Sequence, residues 1–270
     1  MSGKVPTPLS VVTLGNSVAF MQVRHGDNST MGTYSDVLAA ELEAAGIPNT
    51  VALEGKWFDF IHKGVRDYET RVRPHRPNVL IVNYGLNESQ PWLAPVWLVA
   101  HLLKKESATT KTGKFYRRNI ADRLWKLVRK LRRLLAKRIG MLTWQCTPYR
   151  FERCLRRLIL IARHERSCLV LVLDINPPGA MLTHFLPGQV ERHAVYQQLI
   201  EKIVDDHKDP QVRLVRSSEI CAKLGVDESM PDGMHLSPAG HYVLGKELAA
   251  EVLAWHAQTD LGQVLPDGVA

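Results

Sequence analysis

Apolar residues fall along this chain in two alternating rhythms. Short, nearly continuous apolar runs occupy residues 10–14 (SVVTL), 50–53, 78–83 (NVLIVN), 168–173 (CLVLVL) and 212–215. Between them lie stretches with helical spacing, over residues 33–45, 58–72, 150–164, 190–206 and 238–256. In the first, Val37, Leu38, Leu42 and Ala45 share one side and Gly46 closes the run; in another, Leu155, Leu158, Ile159 and Ala162 point together. Runs that are apolar on both faces need cover on both faces, and helices between them supply it. The pattern predicts an α/β fold, a three-layer α/β/α sandwich around a parallel sheet, as a single domain over 1–270. One gap breaks the rhythm. More than sixty residues after position 83 carry no strand signal. That is too long for an ordinary connection, so residues 90–147 are expected to form a helical insertion or a lid.

Ligands of open parallel sheets bind at the carboxyl ends of the strands. Here the first run ends in Gly15-Asn16-Ser17, the second in Glu54-Gly55, and the third in Tyr84-Gly85-Leu86-Asn87-Glu88. The chain after the last run leads into Pro231-Asp232-Gly233-Met234-His235. These are the parts of an acyl-transfer site. A serine hydroxyl stays protonated at neutral pH and needs a base, which His235 can supply. Asp232, three residues earlier, can accept the Nδ1–H of that ring and fix its tautomer. Asn87 and the N–H groups of Ser17 and Gly55 are candidate donors to an oxyanion. Each feature also has a plainer reading. Gly-Asn-Ser is a common turn, Asn87 is a plausible helix cap, and Ser237 with Pro238 opens a helix. The ordered combination favours chemistry.

The segments VVTLGNSVAF, NYGLNES and DGMHLSPAGH resemble, in order, the first, third and fifth blocks of the SGNH (GDSL-type) hydrolases. The resemblance covers roughly residues 9–88 and 148–256. It implies a flavodoxin-like sheet and esterase, lipase, thioesterase or carbohydrate-deacetylase chemistry. It also implies Ser17 as nucleophile, His235 as base, Asp232 as its partner and Asn87 as oxyanion donor. The second block's glycine falls on Gly55, with Gly64 as the alternative. Asn16 and Glu88 stand where the family usually has Asp, which leaves the triad intact but alters loop hydrogen bonding. The G-x-S-x-G elbow of α/β-hydrolases is absent, since residue 19 is Ala. A small-molecule acyl ester or thioester is the expected substrate, with no cofactor and no metal. Trp92, Trp97 and Met234 are candidates for the acyl pocket, with core packing as the competing role. An O-acyltransferase with the same triad and a catalytically silent binding module are the rival readings.

The chain has 270 residues and a net charge of +8, and the charge is uneven. Over 104–138 the sequence is crowded with Lys and Arg, while Ile120, Leu124, Leu127, Val128, Leu131, Leu134 and Leu135 keep helical spacing. This is a basic amphipathic helix. It reads as a solvated face, as a lid or membrane-surface element near Trp92 and Trp97, or, over 115–138, as a dock for an acidic carrier protein. Nucleic acid is not expected, because no recognition motif accompanies the charge. Cys146, Cys154, Cys168 and Cys221 have no metal or redox spacing and read as free thiols. No run is long enough to span a bilayer and the N-terminus lacks a signal-peptide pattern. The expected location is cytoplasmic, with peripheral membrane association as the variant.

Overall fold

The five apolar runs become the five strands of one parallel sheet: β1 (Leu9–Gly15), β2 (Asn49–Gly55), β3 (Val79–Asn83), β4 (Leu169–Leu173) and β5 (Val212–Val215), in the order β2-β1-β3-β4-β5. The computed structural model describes residues 8–22, 32–91, 98, 101, 111–139, 146–166, 168–186 and 188–259. The helices are α1 (Ser17–Phe20), α2 (Tyr34–Ala44), α3 (Ile61–Arg66), α4 (Tyr68–Arg71), α5 (Leu86–Ser89), α6 (Lys111–Tyr116) and α7 (Asp122–Ile139). They continue as α8 (Pro148–Arg166), α9 (Ala180–Phe185), α10 (Gln189–His207), α11 (Ser217–Leu224), α12 (Val226–Ser229) and α13 (Pro238–Gln258). A π-helical turn, Arg117–Ala121, joins α6 to α7.

Side chains alternate across a strand, so the sheet divides its apolar residues between two cores. Val12, Leu14, Leu80, Val82, Val170 and Val172 face Phe60, Ile61, Phe151, Leu155, Leu158, Tyr196 and Ile200 from α3, α8, α10 and the lead-in to α3. Val11, Val79, Ile81, Leu169 and Leu171 face Leu38, Leu42, Leu244, Leu248 and Val252 from α2 and α13. This is the three-layer α/β/α sandwich that the apolar runs predict. From β1 the chain steps out to β2 and then returns past β1 to β3. The carboxyl end of β1 is therefore a topological switch point, flanked by the ends of both neighbours.

Residues 58–72 differ from expectation. In place of one helix there is an extended lead-in, then α3, α4 and a 3₁₀ turn, Arg73–His75. The cause is tertiary. Phe58 takes a left-handed φ of 50°, which lets Asp59 turn inward, where it is 2% exposed. The charge is matched by Arg71, whose Nη1 donates to Asp59 Oδ2 at 2.7 Å. Periodicity sees apolar spacing, not a buried ion pair that draws Asp59 out of the helix. At α13 the local signals hold: Ser237 Oγ accepts the Gly240 N–H at 3.0 Å and Pro238 occupies the first turn.

Candidate active site

Asn16 joins β1 to α1. Its Oδ1 accepts the Val18 N–H at 3.0 Å, an N-cap that fixes the turn and places Ser17 at the first helical position. An amide oxygen performs this as well as the carboxylate found in the resembling block. Ser17 is 5% exposed, and its Oγ lies 3.0 Å from His235 Nε2. On the far side of the ring, His235 Nδ1 lies 2.7 Å from Asp232 Oδ2. The other oxygen, Asp232 Oδ1, accepts the N–H groups of Met234 at 2.8 Å and His235 at 2.7 Å. One carboxylate thus holds both the ring and the backbone that carries it. Burial works to raise the Asp232 carboxyl, but hydrogen bonds from the His235 ring and from these N–H groups outweigh it. They hold the group below the usual carboxylate range.

Ser17 and His235 are 218 residues apart, so the loop bearing the histidine must be pinned. Gly233 supplies the turn with a φ of 74°. It also packs directly on Gly179: a Cβ at Gly179 would lie 2.6 Å from Gly233 Cα. The Gly179 N–H donates to the Gly233 carbonyl at 3.1 Å. A second anchor joins α13 to α1. His241 Nδ1 accepts the Tyr34 N–H at 3.1 Å and its Nε2–H donates to the Met21 carbonyl at 3.0 Å. Burial lowers the His241 pKa to about 4, so the ring remains neutral as this pairing requires.

Asn87 lies on α5, 3% exposed, and its Nδ2 donates to the Asp59 carbonyl at 3.1 Å. Gly15 pairs with both Gly55 and Asn83, so β1 brings Ser17, Gly55 and the α5 turn to one sheet edge. α5 is set by Glu88, which is fully buried. Its Oε2 accepts the Gly85 N–H at 2.8 Å and its Oε1 the Ile61 N–H at 2.7 Å. One side chain therefore caps both α5 and α3, spanning a gap that the shorter Asp would not reach on both sides.

Burial raises the Glu88 pKa from 4.5 to about 7, against the pull of these N–H groups. Below about pH 4.5 the group is protonated in both folded and unfolded chains. Between about 4.5 and 7 only the unfolded chain has lost the proton, so stability from this group falls as pH rises through that window, by about 3 kcal/mol in all. Glu88→Gln removes the titration. Its stability cost relative to wild type is expected to shrink by about 2–3 kcal/mol between about pH 5 and pH 8, read by urea unfolding. A cost independent of pH would contradict the assignment.

The two candidate glycine donors lie on β2 and α3. The Lys56 N–H donates to the Gly15 carbonyl at 3.3 Å. The parallel ladder then turns the Gly55 N–H away from β1. Gly55 serves packing instead: a Cβ there would lie 2.5 Å from the Phe20 ring. The Gly64 N–H is committed to the Phe60 carbonyl at 3.2 Å, inside α3. Met234 is part-buried against the core and its Sδ accepts from Gln90 Nε2 at 3.7 Å. The space it borders with Val18, Tyr84 and Leu86 is about 10 Å³, enough for one water and not an acyl chain. Trp92 and Trp97 lie outside the described residues.

Asp59, Arg71 and Tyr84 carry no signal in the sequence, yet they support the site. Tyr84 Oη donates to Asp59 Oδ2 at 2.9 Å, beside the Arg71 contact, and Arg71 Nη2 donates to the Glu54 carbonyl. The carboxylate of Asp59 is thereby fixed, while its carbonyl holds Asn87.

No protein-family model matches the sequence, and no curated protein matches it. Solved structures do. The chain is similar to a lipase/acylhydrolase from Enterococcus faecalis, with a TM-score of 0.59 at 15% identity over 97% of this chain and 100% of that one. It is similar to an acetylxylan esterase from Geobacillus stearothermophilus, with a TM-score of 0.56 at 14% identity over 92% and 96%. A GDSL-like lipase from Parabacteroides merdae gives 0.56 at 13% identity over 96% and 98%. At these identities the likeness is one of fold.

Proposed function

We propose that this chain, built on the SGNH-hydrolase fold, is a serine hydrolase that cleaves an ester or thioester. The observation that carries the reading is the continuous line Ser17 Oγ, His235 Nε2, His235 Nδ1, Asp232 Oδ2, with both links at hydrogen-bond distance. Ser17 Oγ attacks the acyl carbonyl carbon as its proton passes to His235 Nε2. The imidazolium is stabilised by Asp232, which stays ionised. His235 then returns the proton to the leaving oxygen or sulfur, which departs with the electron pair of the broken bond. Water, deprotonated by His235, attacks the acyl-serine in the second half; the bond to Ser17 Oγ breaks, His235 returns the proton to Oγ, and the acid is released.

The negative charge on each tetrahedral oxygen needs donors. The Ser17 N–H, in the first turn of α1, and the Asn87 amide supply them in this reading. Asn87→Ala is expected to lower kcat about 10²- to 10³-fold with KM nearly unchanged, measured on a soluble ester. An equal loss carried mainly by KM would assign Asn87 to substrate binding. The reading as a whole is tested by a fluorophosphonate probe and short p-nitrophenyl esters. Wild type should label and turn over, and Ser17→Ala should do neither. A wild-type protein inert to both across acyl lengths would overturn it.

A further inference from the structure

The helical segment between β3 and β4 shows an outward face that the hydrolase reading does not use. Residues 111–139 hold twelve Lys or Arg against one acid, Asp122. With the whole chain at +8, the remainder carries −3, so this segment alone exceeds the net positive charge of the protein. α7 is seated on the body along one side: Ala121 is buried, and Trp125 and Val128 pack with Phe58 and Leu98. A second stripe is not seated. Ile120, Leu124, Leu127, Leu131 and Leu134 stand 37% to 51% exposed. Their spacing follows one line along the helix, about 21 Å long at 1.5 Å per residue. Arg123, Lys126 and Lys130, all exposed, run along its flank. At the start of the segment Lys114, Arg118 and Arg123, with Phe115 and Asn119, border a surface concavity of about 490 Å³.

We infer that α7 is an interfacial helix that docks this protein on an anionic phospholipid surface. The stripe asks for an apolar phase and the flank asks for anions, and a charged bilayer supplies both in one plane. An acidic soluble protein would answer the cations but leave the leucines without a phase. A merely solvated helix accounts for the charge but not for a straight apolar row facing water. Among the described residues no helix is long and apolar enough to cross a membrane, so the attachment is peripheral. The seat of α7 on Phe58 adjoins Asp59, which holds Asn87. A docked surface would therefore lie on the side of the molecule that carries the α5 turn.

Flotation with vesicles tests this without any turnover. Wild type is expected to float with vesicles of equal parts phosphatidylcholine and phosphatidylglycerol, to stay behind with phosphatidylcholine alone, and to be released as salt is raised. Leu127→Glu with Leu131→Glu should weaken binding at least about tenfold, with the melting temperature unchanged because both positions are exposed. Ser17→Ala should float like wild type, which separates this inference from the hydrolase reading. No flotation of wild type with anionic vesicles overturns it, as does undiminished flotation of the double variant. So does binding of a purified acidic acyl-carrier protein, or a dimer abolished by the same substitutions, where vesicles are ignored.

Discussion

Ser17→Ala is expected to reduce kcat on a short p-nitrophenyl ester by roughly 10³- to 10⁶-fold, the largest effect of any single substitution in this protein. The serine oxygen is the only atom replaced. Ser17 is buried at the first position of α1, and alanine keeps the backbone N–H and the helix start intact. The fold should survive, and thermal unfolding should match wild type closely. His235→Ala should fall to a similar level, because a serine without its base is no better than no serine. The double variant should be hardly worse than either single one. This non-additivity separates a triad from independent binding contacts, which would multiply. A Ser17→Ala protein that retains more than about a tenth of wild-type kcat would remove the nucleophile from the proposal.

The parts legible in the sequence are those encoded locally. Each buried strand is a short apolar run, and the turn after it carries the polar residues, so Ser17, Asn87 and His235 stand out by position alone. Asp232 and His235 are three residues apart, close enough for one loop to set both hydrogen bonds. What escaped is long-range or directional. Asp59 and Arg71 lie 12 residues apart in a stretch whose spacing reads as one helix, and only tertiary packing makes them partners. Gly55 sits at the expected strand end, but ladder parity, invisible in sequence, turns its N–H outward. The row from Ile120 to Leu134 looks like a core-facing stripe by period. Which way a stripe faces depends on what the rest of the chain places beside it. Here α7 uses Trp125 and Val128 as its seat and leaves the row in the open.

Arg71→Met is the substitution expected to cost most in stability, about 3–5 kcal/mol by urea unfolding. Arg71 is 4% exposed and Asp59 2%. Burial alone would lower the arginine's pKa, but the hydrogen bond to Asp59 together with the electrostatic pull of Asp59 and Tyr84 outweighs it, so the guanidinium stays charged. Removing that charge leaves the Asp59 carboxylate buried with, among the described residues, the Tyr84 hydroxyl as its side-chain donor, and strips the Glu54 carbonyl of its Nη2 donor. Pairing Arg71→Met with Asp59→Leu removes both charges at once. That double variant should recover a substantial part of the loss, since much of it is the penalty of one stranded ion. Catalysis supplies the second readout. The Asp59 carbonyl holds Asn87 through the 3.1 Å bond, so a loosened Asp59 should lower kcat while leaving KM on a small ester nearly unchanged. A single variant that loses stability yet keeps full kcat would show that Arg71 braces the fold but not the Asn87 amide. Loss of kcat alone, with stability unchanged, would contradict the buried pair itself. Only the joint loss fits an arrangement in which one ion pair closes α4 onto the end of β2 and fixes the carbonyl on which Asn87 rests.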